Sequence, residues 1–318
     1  MSADERRARG GLPEGLANYL KVNDMYPQRS PRIDCEDAPQ PEEYPGLYPL
    51  CYARRHDFPS QNFMSATPAM TPQQKELTDT KSSGLAAYRR LAVGRASTLY
   101  FIAYEAAQLL LSNLPGLVGF ASRALVYPAL FKSCGRRPAL GRGVLVRIPR
   151  QISLGSGVLI DDGASLDVRG DDASITIKDR VSIGRLSTIA AKHGHISLGD
   201  GCNIGSYCRI ATQSRVDIGE SVLIGAYCYV GPGNHTGGGE DSPLIEQPMD
   251  IRGGVSIGDH AWLGARVTVM DGVKIGAHAV VGAHSFVKED VPDYAVVVGT
   301  PAKIVGSRKP ATAQTNHA

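Results

Sequence analysis

From about residue 148 the aliphatic side chains of this chain recur every six residues, a period that neither a helix nor an alternating strand produces. Leu154, Ile160 and Leu166 open the series. It continues through Ile177, Ile183 and Ile189, then Leu198, Ile204 and Ile210, then Ile218, Ile224 and Val230. After a break it resumes at Ile257, Leu263, Val269, Ile275, Val281 and Val287. A solenoid of short strands and turns accounts for such a count, three units to one triangular turn. The eighteen positions predict a mainly β fold, a parallel β-helix of about six coils.

A second inward position fixes the register. Four residues after each aliphatic stands a small residue such as Val158, Ala164, Cys202, Cys208, Cys228, Ala261 or Ala279. A tight corner inside a narrow prism requires that size. The three cysteines are thus expected as corner fillers, small buried hydrophobes rather than reactive groups. Glycine often follows the aliphatic directly, as at Gly205, Gly225 and Gly264, where a turn calls for positive φ or close backbone approach.

The beat fails once at length. Twenty-six residues separate Val230 from Ile257, "GPGNHTGGGEDSPLIEQPMDIRGGVS", and no coil absorbs them. In a repeat protein such an insertion projects from one face and usually serves function. His235 stands where the chain departs, so a rigid coil would present its imidazole. The alternative is an ordinary surface histidine. His193 and His195, in an "AKHGHI" turn, and His260, His278 and His284, at outward turns of successive coils, are read as solvent-exposed.

The pattern resembles the hexapeptide-repeat acyltransferases over residues 145 to 307. Within them it is similar to the sugar and xenobiotic acetyltransferases, which carry a histidine at the start of an extended loop and a "PI" and a glutamine beyond it. Here these read Asn234-His235, Pro243-Leu244-Ile245 and Gln247. The segment "GGVSIGDHAWLGARVTVMDGVKIGAHAVVGAHSFVKEDVPDYAVVVGTPAKIV" is close to the family's terminal signature. The resemblance implies a left-handed prism, an exception to the usual right-handed crossover. It also implies a homotrimer with sites between subunits, acetyl-CoA as acyl donor, and His235 as catalytic base, with Asn234 and Gln247 near the acceptor.

Such a base removes the proton of an alcohol as it attacks the thioester. An imidazole titrating near ~6.5 is largely neutral at physiological pH and suited to that step, which is worth roughly 10²–10⁴-fold. Backbone N–H groups at coil corners would meet the oxyanion; the resemblance places one near Gly264 or Ala265. It further implies that Trp262, Ala265, Ala283, Lys288 and Lys303 contact the cofactor. Relatives read "GAGSVVTKDVP" where this chain reads "GAHSFVKEDVP". Lys288 therefore precedes the usual lysine position and Glu289 fills it, while His284 replaces a glycine. Trp262 fits a ring over the subunit joint as well as a cofactor contact. Asp241 and Glu246 are weak candidates to orient His235. No metal is expected.

The remainder of the chain divides in two. Residues 1–80 are rich in Pro, Gln, Ser and charge and are expected to form a poorly ordered arm. Residues 81–140 read as a helical segment, two helices separated near Asn113-Leu114-Pro115-Gly116. The β-helix domain is expected over 141–307, with loop 231–254 and a disordered tail over 308–318. Neither helix is an uninterrupted run of ~20 apolar residues. No acidic residue lies between Glu105 and Asp161, whereas Arg123, Lys132, Arg136, Arg137, Arg142, Arg147 and Arg150 do. Two readings stand for 96–150: an anchor on an anionic membrane surface, or a cap over the open end of the solenoid.

A chain of 318 residues with 34 basic and 31 acidic side chains has a formal net charge of +3, which gives no reason to expect a nucleic-acid partner. Six cysteines form no CxxC pair, as suits reduced thiols. The opening "MSADERRARGG" lacks an apolar core, so no secretory signal is expected and a cytoplasmic enzyme is, peripheral to the membrane if the anchor reading holds. The leading expectation is O-acetylation of a sugar in a cell-surface polysaccharide or its precursor. N-acetylation of an amino sugar and acetylation of serine or an antibiotic are the nearest alternatives. A zinc carbonic anhydrase on the same prism needs three converging histidines, and His235 has no HxxxxH partner. A non-catalytic assembly module is the remaining class.

Overall fold

The computed structural model describes residues 83–231, 233–235, 247 and 249–309. All of these fall in one compact unit, Thr67–Ala318. The expected arm over 1–80, most of the loop with Asp241 and Glu246, and the tail from 310 lie outside the described residues.

The chain winds into a parallel β-solenoid of three faces, called here A, B and C, each built from one short strand per coil. Faces A and C hold seven strands each, giving about seven turns. Face B gains an eighth parallel strand, Ala295–Val298, and is closed by the antiparallel Lys303–Ser307. The additional coil lies at the start: Ser133–Cys134, Ala139–Leu140 and Leu145–Arg147 pair in register with the coil of Leu154, Ile160 and Leu166. The solenoid thus begins at Ser133 rather than near 141. Cys134, Leu140 and Val146 keep the six-residue spacing, but a half-buried cysteine in place of an aliphatic hides the first beat.

Each six-residue aliphatic points inward and stacks on its equivalent one coil away, as Ile204 does between Ile183 and Ile224. Strand spacing sets that separation at ~4.8 Å. The corner cysteines are buried, and their thiols donate to carbonyls of the next coil: Cys202 to Gly219 at 2.8 Å, Cys208 to Gly225 at 3.0 Å, Cys228 to Gly264 at 3.1 Å. They are corner fillers, as the spacing predicts. Burial pushes the Cys202 thiol up from its ordinary pKa, away from thiolate chemistry.

Of the two reasons for glycine after the aliphatic, close approach is the one that operates. A Cβ on Gly225 would stand 2.7 Å from the Ala265 nitrogen, and one on Gly264 2.6 Å from that of Ala283. Positive φ falls two residues later and is borne largely by side-chain residues, including Tyr207, Tyr227, Arg266 and His284. Their rings form ladders that offset some of that strain. Tyr207 and Tyr227 stack at 4.9 Å, and the Arg266 guanidinium sits 5.5 Å over Tyr227. On another edge His260, His278 and Tyr294 stack at 4.9 and 4.7 Å.

Among the described residues three α-helices precede the first coil: α1 Gly84–Val93, α2 Thr98–Leu111 and α3 Gly116–Val126. Ser83 and Ser97 cap the first two through their hydroxyls, and α3 starts after Pro115. They pack over the first coil. Tyr104 donates to the Val146 carbonyl at 2.7 Å, and Tyr100 to that of Leu130. Arg123, only 3% exposed, donates to the carbonyls of Leu140, Leu111 and Leu114 at 2.8–2.9 Å. Among the described residues no helix is long and apolar enough to cross a membrane.

Candidate active site

The three edges of the prism are built differently. Between faces A and B, carboxylates from one coil fill the amides of the coil before. Asp179 Oδ1 accepts from Ser156 N at 2.7 Å, Asp259 Oδ1 from Glu220 N at 2.7 Å, and Asp293 Oδ1 from Ala277 N at 2.8 Å. Between faces B and C the first coil is filled in the same way, Asp162 Oδ1 accepting from Arg142 N at 2.7 Å, but in the last four coils that corner position carries Ser206, Ala226, Ala265 and Ala283. Short side chains there supply no acceptor, and no described group accepts from any of these four amides. A column of outward backbone donors results. Ala265 and Ala283, predicted to contact a cofactor, belong to it and are exposed.

The third edge, between faces C and A, is where the coil lengthens. Leu166 and Ile177 are eleven positions apart, Ile189 and Leu198 nine, and Ile210 and Ile218 eight, against six at the other two edges. The long insertion between Val230 and Ile257 leaves from this same edge. It opens as a short antiparallel hairpin in which Asn234 pairs with Asp250 and His235 with Met249. Gly231, at φ +79, permits the departure: a Cβ there would stand 2.3 Å from the Ala211 carbonyl oxygen. Gln247 is half-buried beside the hairpin's second strand.

Beneath the hairpin lies a cavity of about 130 Å³ lined by Lys192, Arg209, Thr212, Gln213, Tyr229, Gly233, Met249 and Asp271, among others. Burial, then the neighbouring Arg169 and Arg209 guanidinium groups, lower the Lys192 pKa from that of an ordinary lysine; Asp167 partly opposes them. Asp167 is itself buried, gripped by Arg169 at 2.6 Å and Arg147 at 3.5 Å. Of these side chains, sequence reading singled out only Arg147, and as a surface cation. The signal was present in the extra residues that several coils carry at one edge. His193 and His195 also stand there, exposed as expected, His193 against Asp172 at 3.2 Å and His195 against the Ser174 hydroxyl at 2.9 Å.

The remaining predicted residues fall in two places. Lys288 and Lys303 line one cavity of about 270 Å³ at the last coil, and the Lys288 ammonium is 3.9 Å from Glu289. Trp262 faces outward on face B between Leu223 and Val280, 48% exposed. Gly264 is buried at the open edge. Within one chain, then, His235 and the corner amides of Ala265 and Ala283 occupy opposite edges of face C and are not brought together.

The sequence comparisons agree with this architecture. The family model described as bacterial transferase hexapeptide (six repeats) matches residues 254–289. WbbJ of Escherichia coli, named for O-acetyl transfer in lipopolysaccharide biosynthesis, is 34% identical over 142 residues, 42% of this chain and 72% of WbbJ. The chain belongs to the hexapeptide-repeat transferase family. A second relative, Rv3034c of Mycobacterium tuberculosis, named as a probable acetyltransferase, is 34% identical over 171 residues. That match covers 54% of this chain but spans only half the length of Rv3034c. Among solved structures, the acetyltransferase VCA0836 of Vibrio cholerae O1 biovar eltor, complexed with acetyl coenzyme A, has 21% identity and a TM-score of 0.33. The alignment covers 69% of this chain and 97% of VCA0836.

Proposed function

We propose that this hexapeptide-repeat protein transfers an acetyl group from acetyl-CoA to a sugar hydroxyl, with His235 as general base. The observation that carries the reading is the pairing of two unusual edges: an inserted hairpin bearing the histidine, and a column of unfilled backbone donors. The thioester arm lies along Ser206, Ala226, Ala265 and Ala283, whose amides bind its carbonyls and, at one position, the developing oxyanion. The His235 imidazole takes the acceptor's proton during attack, and the imidazolium returns it to the departing CoA thiolate. No acyl-enzyme forms. Lys288 and Lys303 lie where the charged end of the donor emerges. Sugar O-acetylation in polysaccharide assembly is drawn from the activity for which WbbJ is named.

Because the two edges sit at opposite sides of face C, one chain does not complete this site. The proposal therefore includes a homotrimer in which the hairpin edge of one copy meets the open edge of the next. His235→Ala is expected to lower thiol release from acetyl-CoA at least a hundredfold, with trimer mass and melting temperature unchanged. Undiminished turnover would refute the base assignment.

We also place the protein at the surface of an anionic bilayer. The outward stripe of α2 is Leu99, Ile102, Ala103, Ala106, Leu109 and Leu110, with no charge in it, and Leu117, Val118 and Leu125 of α3 are equally bare. Lys132, Arg136, Arg137 and Arg142 follow on the first coil and are exposed. Apolar insertion flanked by cations fits an anionic leaflet, each basic group adding about 1 kcal/mol. Arg123 and Arg147 are held internally and take no part. Flotation with phosphatidylglycerol vesicles at low salt is the check, and recovery of all protein in the dense fraction would refute the contact.

A further inference from the structure

The hairpin cavity holds two cations, Lys192 and Arg209, neither of which forms an ion pair with a described carboxylate. On this flank Asp167 is ion-paired with Arg169 and Arg147, and it only partly offsets the positive charge around Lys192. Asp271, the one carboxylate among the described lining residues, accepts from the Arg252 amide at 2.6 Å. Lys192 is half-buried, one strand position from Arg169 across the ladder, and Arg209 extends from the next coil's face C. Like charges gathered at a partly desolvated site are costly unless an anion joins them. The lowered affinity of Lys192 for its proton registers that cost. The position is also informative. Met249, whose backbone pairs with that of His235 across the hairpin, lines the same cavity, so the two cations lie beside the segment that carries the proposed base.

We propose that Lys192 and Arg209 form a subsite for an anionic group, carboxylate or phosphate, carried by the acyl acceptor. This rests on the acetyltransferase reading for the acceptor's role, but not for its binding. An acidic sugar would bring a carboxylate; a glycosyl phosphate, free or lipid-linked, would bring a phosphate. Both offer the planar or tetrahedral oxygen set that an ammonium and a guanidinium recognise together. A neutral sugar would leave the two cations uncompensated. The subsite therefore selects as well as holds.

Calorimetric titration of the full-length protein, without donor, tests the binding itself. The probes are methyl β-glucuronide, glucose 1-phosphate and neutral methyl β-glucoside. Tenfold or tighter binding of an anionic probe over the neutral one is expected, and the tighter of the two anions identifies the source. Lys192→Gln should abolish that preference and Lys192→Arg should restore most of it; Arg209→Gln gives a second, independent loss. Turnover supplies the other arm, the ratio of kcat/KM for anionic over neutral acceptor falling tenfold or more in Lys192→Gln. Equal affinity for charged and neutral probes, or an equal loss for both on substitution, would overturn the subsite. Retained anion preference with no thiol release from any acceptor would instead sink the transferase reading and leave the subsite standing.

Discussion

Replacing Ala265 by aspartate should stabilise the protein and impair its use of acetyl-CoA at the same time. At the edge between faces A and B, the residue equivalent to Ala265 is Asp259, whose Oδ1 caps the Glu220 amide at 2.7 Å. One face further on, Ala226 stands where Glu220 does, and its amide has no described acceptor. Gly225 precedes it as Gly219 precedes Glu220, and that missing side chain gives the carboxylate its room: a Cβ on Gly219 would lie 2.2 Å from Asp259 Oδ1. Ala265→Asp thus copies a bond the fold already makes. A charge-assisted hydrogen bond contributes ~1.5–3 kcal/mol when sheltered, and about 1 kcal/mol at this exposed corner. For a domain of this size that raises Tm by roughly 2–4 °C. The same carboxylate occupies the donor column and repels the phosphates of CoA, so KM for acetyl-CoA should rise tenfold or more. Thermal melts and thiol release measure the two effects. A higher Tm with an unchanged KM would remove the thioester from this edge; a lower Tm would show that the two edges are not equivalent.

Two further outcomes follow from the packing. Gly205→Ala places a Cβ 2.6 Å from the Ala226 nitrogen, backbone against backbone, and should cost ~1–3 kcal/mol, read as a Tm several degrees lower. Burial raises the Tyr100 pKa from 10.0 to about 12, so its contribution is complete below pH 10 and is lost as pH climbs toward 12. Tyr100→Phe should flatten that part of the pH–stability profile in melts between pH 9 and 12, and an unchanged slope would refute the assignment.

The prism was legible because one period governs it. A side chain every six residues faces a narrow interior, and a substitution there is felt at once by the coils above and below, so Ile183, Ile204 and Ile224 announce themselves. The first coil was missed where that pressure is weakest, at Cys134, beside a helical cap that supplies its own burial. The departure of the chain after Val230 was legible as the point where periodicity stops, and His235 drew attention by standing there. Lys192, Arg209 and Asp167 were not, since a charged residue at an outward strand position looks like any solvated one. They come together only because neighbouring strands of face C lie some twenty residues apart in sequence, as Arg169 opposite Lys192 illustrates. Sequence separation conceals that neighbourhood.

The glycine ambiguity was decided by geometry in a way that bears on function. Had positive φ been the requirement, the residue after each aliphatic would be tied to a turn and indifferent to the next coil. Close approach makes it the gap into which the following coil's corner fits. At several coils of one edge that gap receives an aspartate; along the later coils of another, from Gly184 to Gly264, it receives only alanine or serine, and the amide at that corner stays open. The first coil of that second edge still carries the filled form, Asp162 capping the Arg142 amide at 2.7 Å, so one edge shows both states. A solenoid can therefore turn a structural seam into a binding groove by withholding a carboxylate, without altering its winding. The third edge is modified by length instead: several coils carry extra residues there, and one carries the hairpin of His235. The regular coils keep both departures in fixed positions, which is what the proposed chemistry requires.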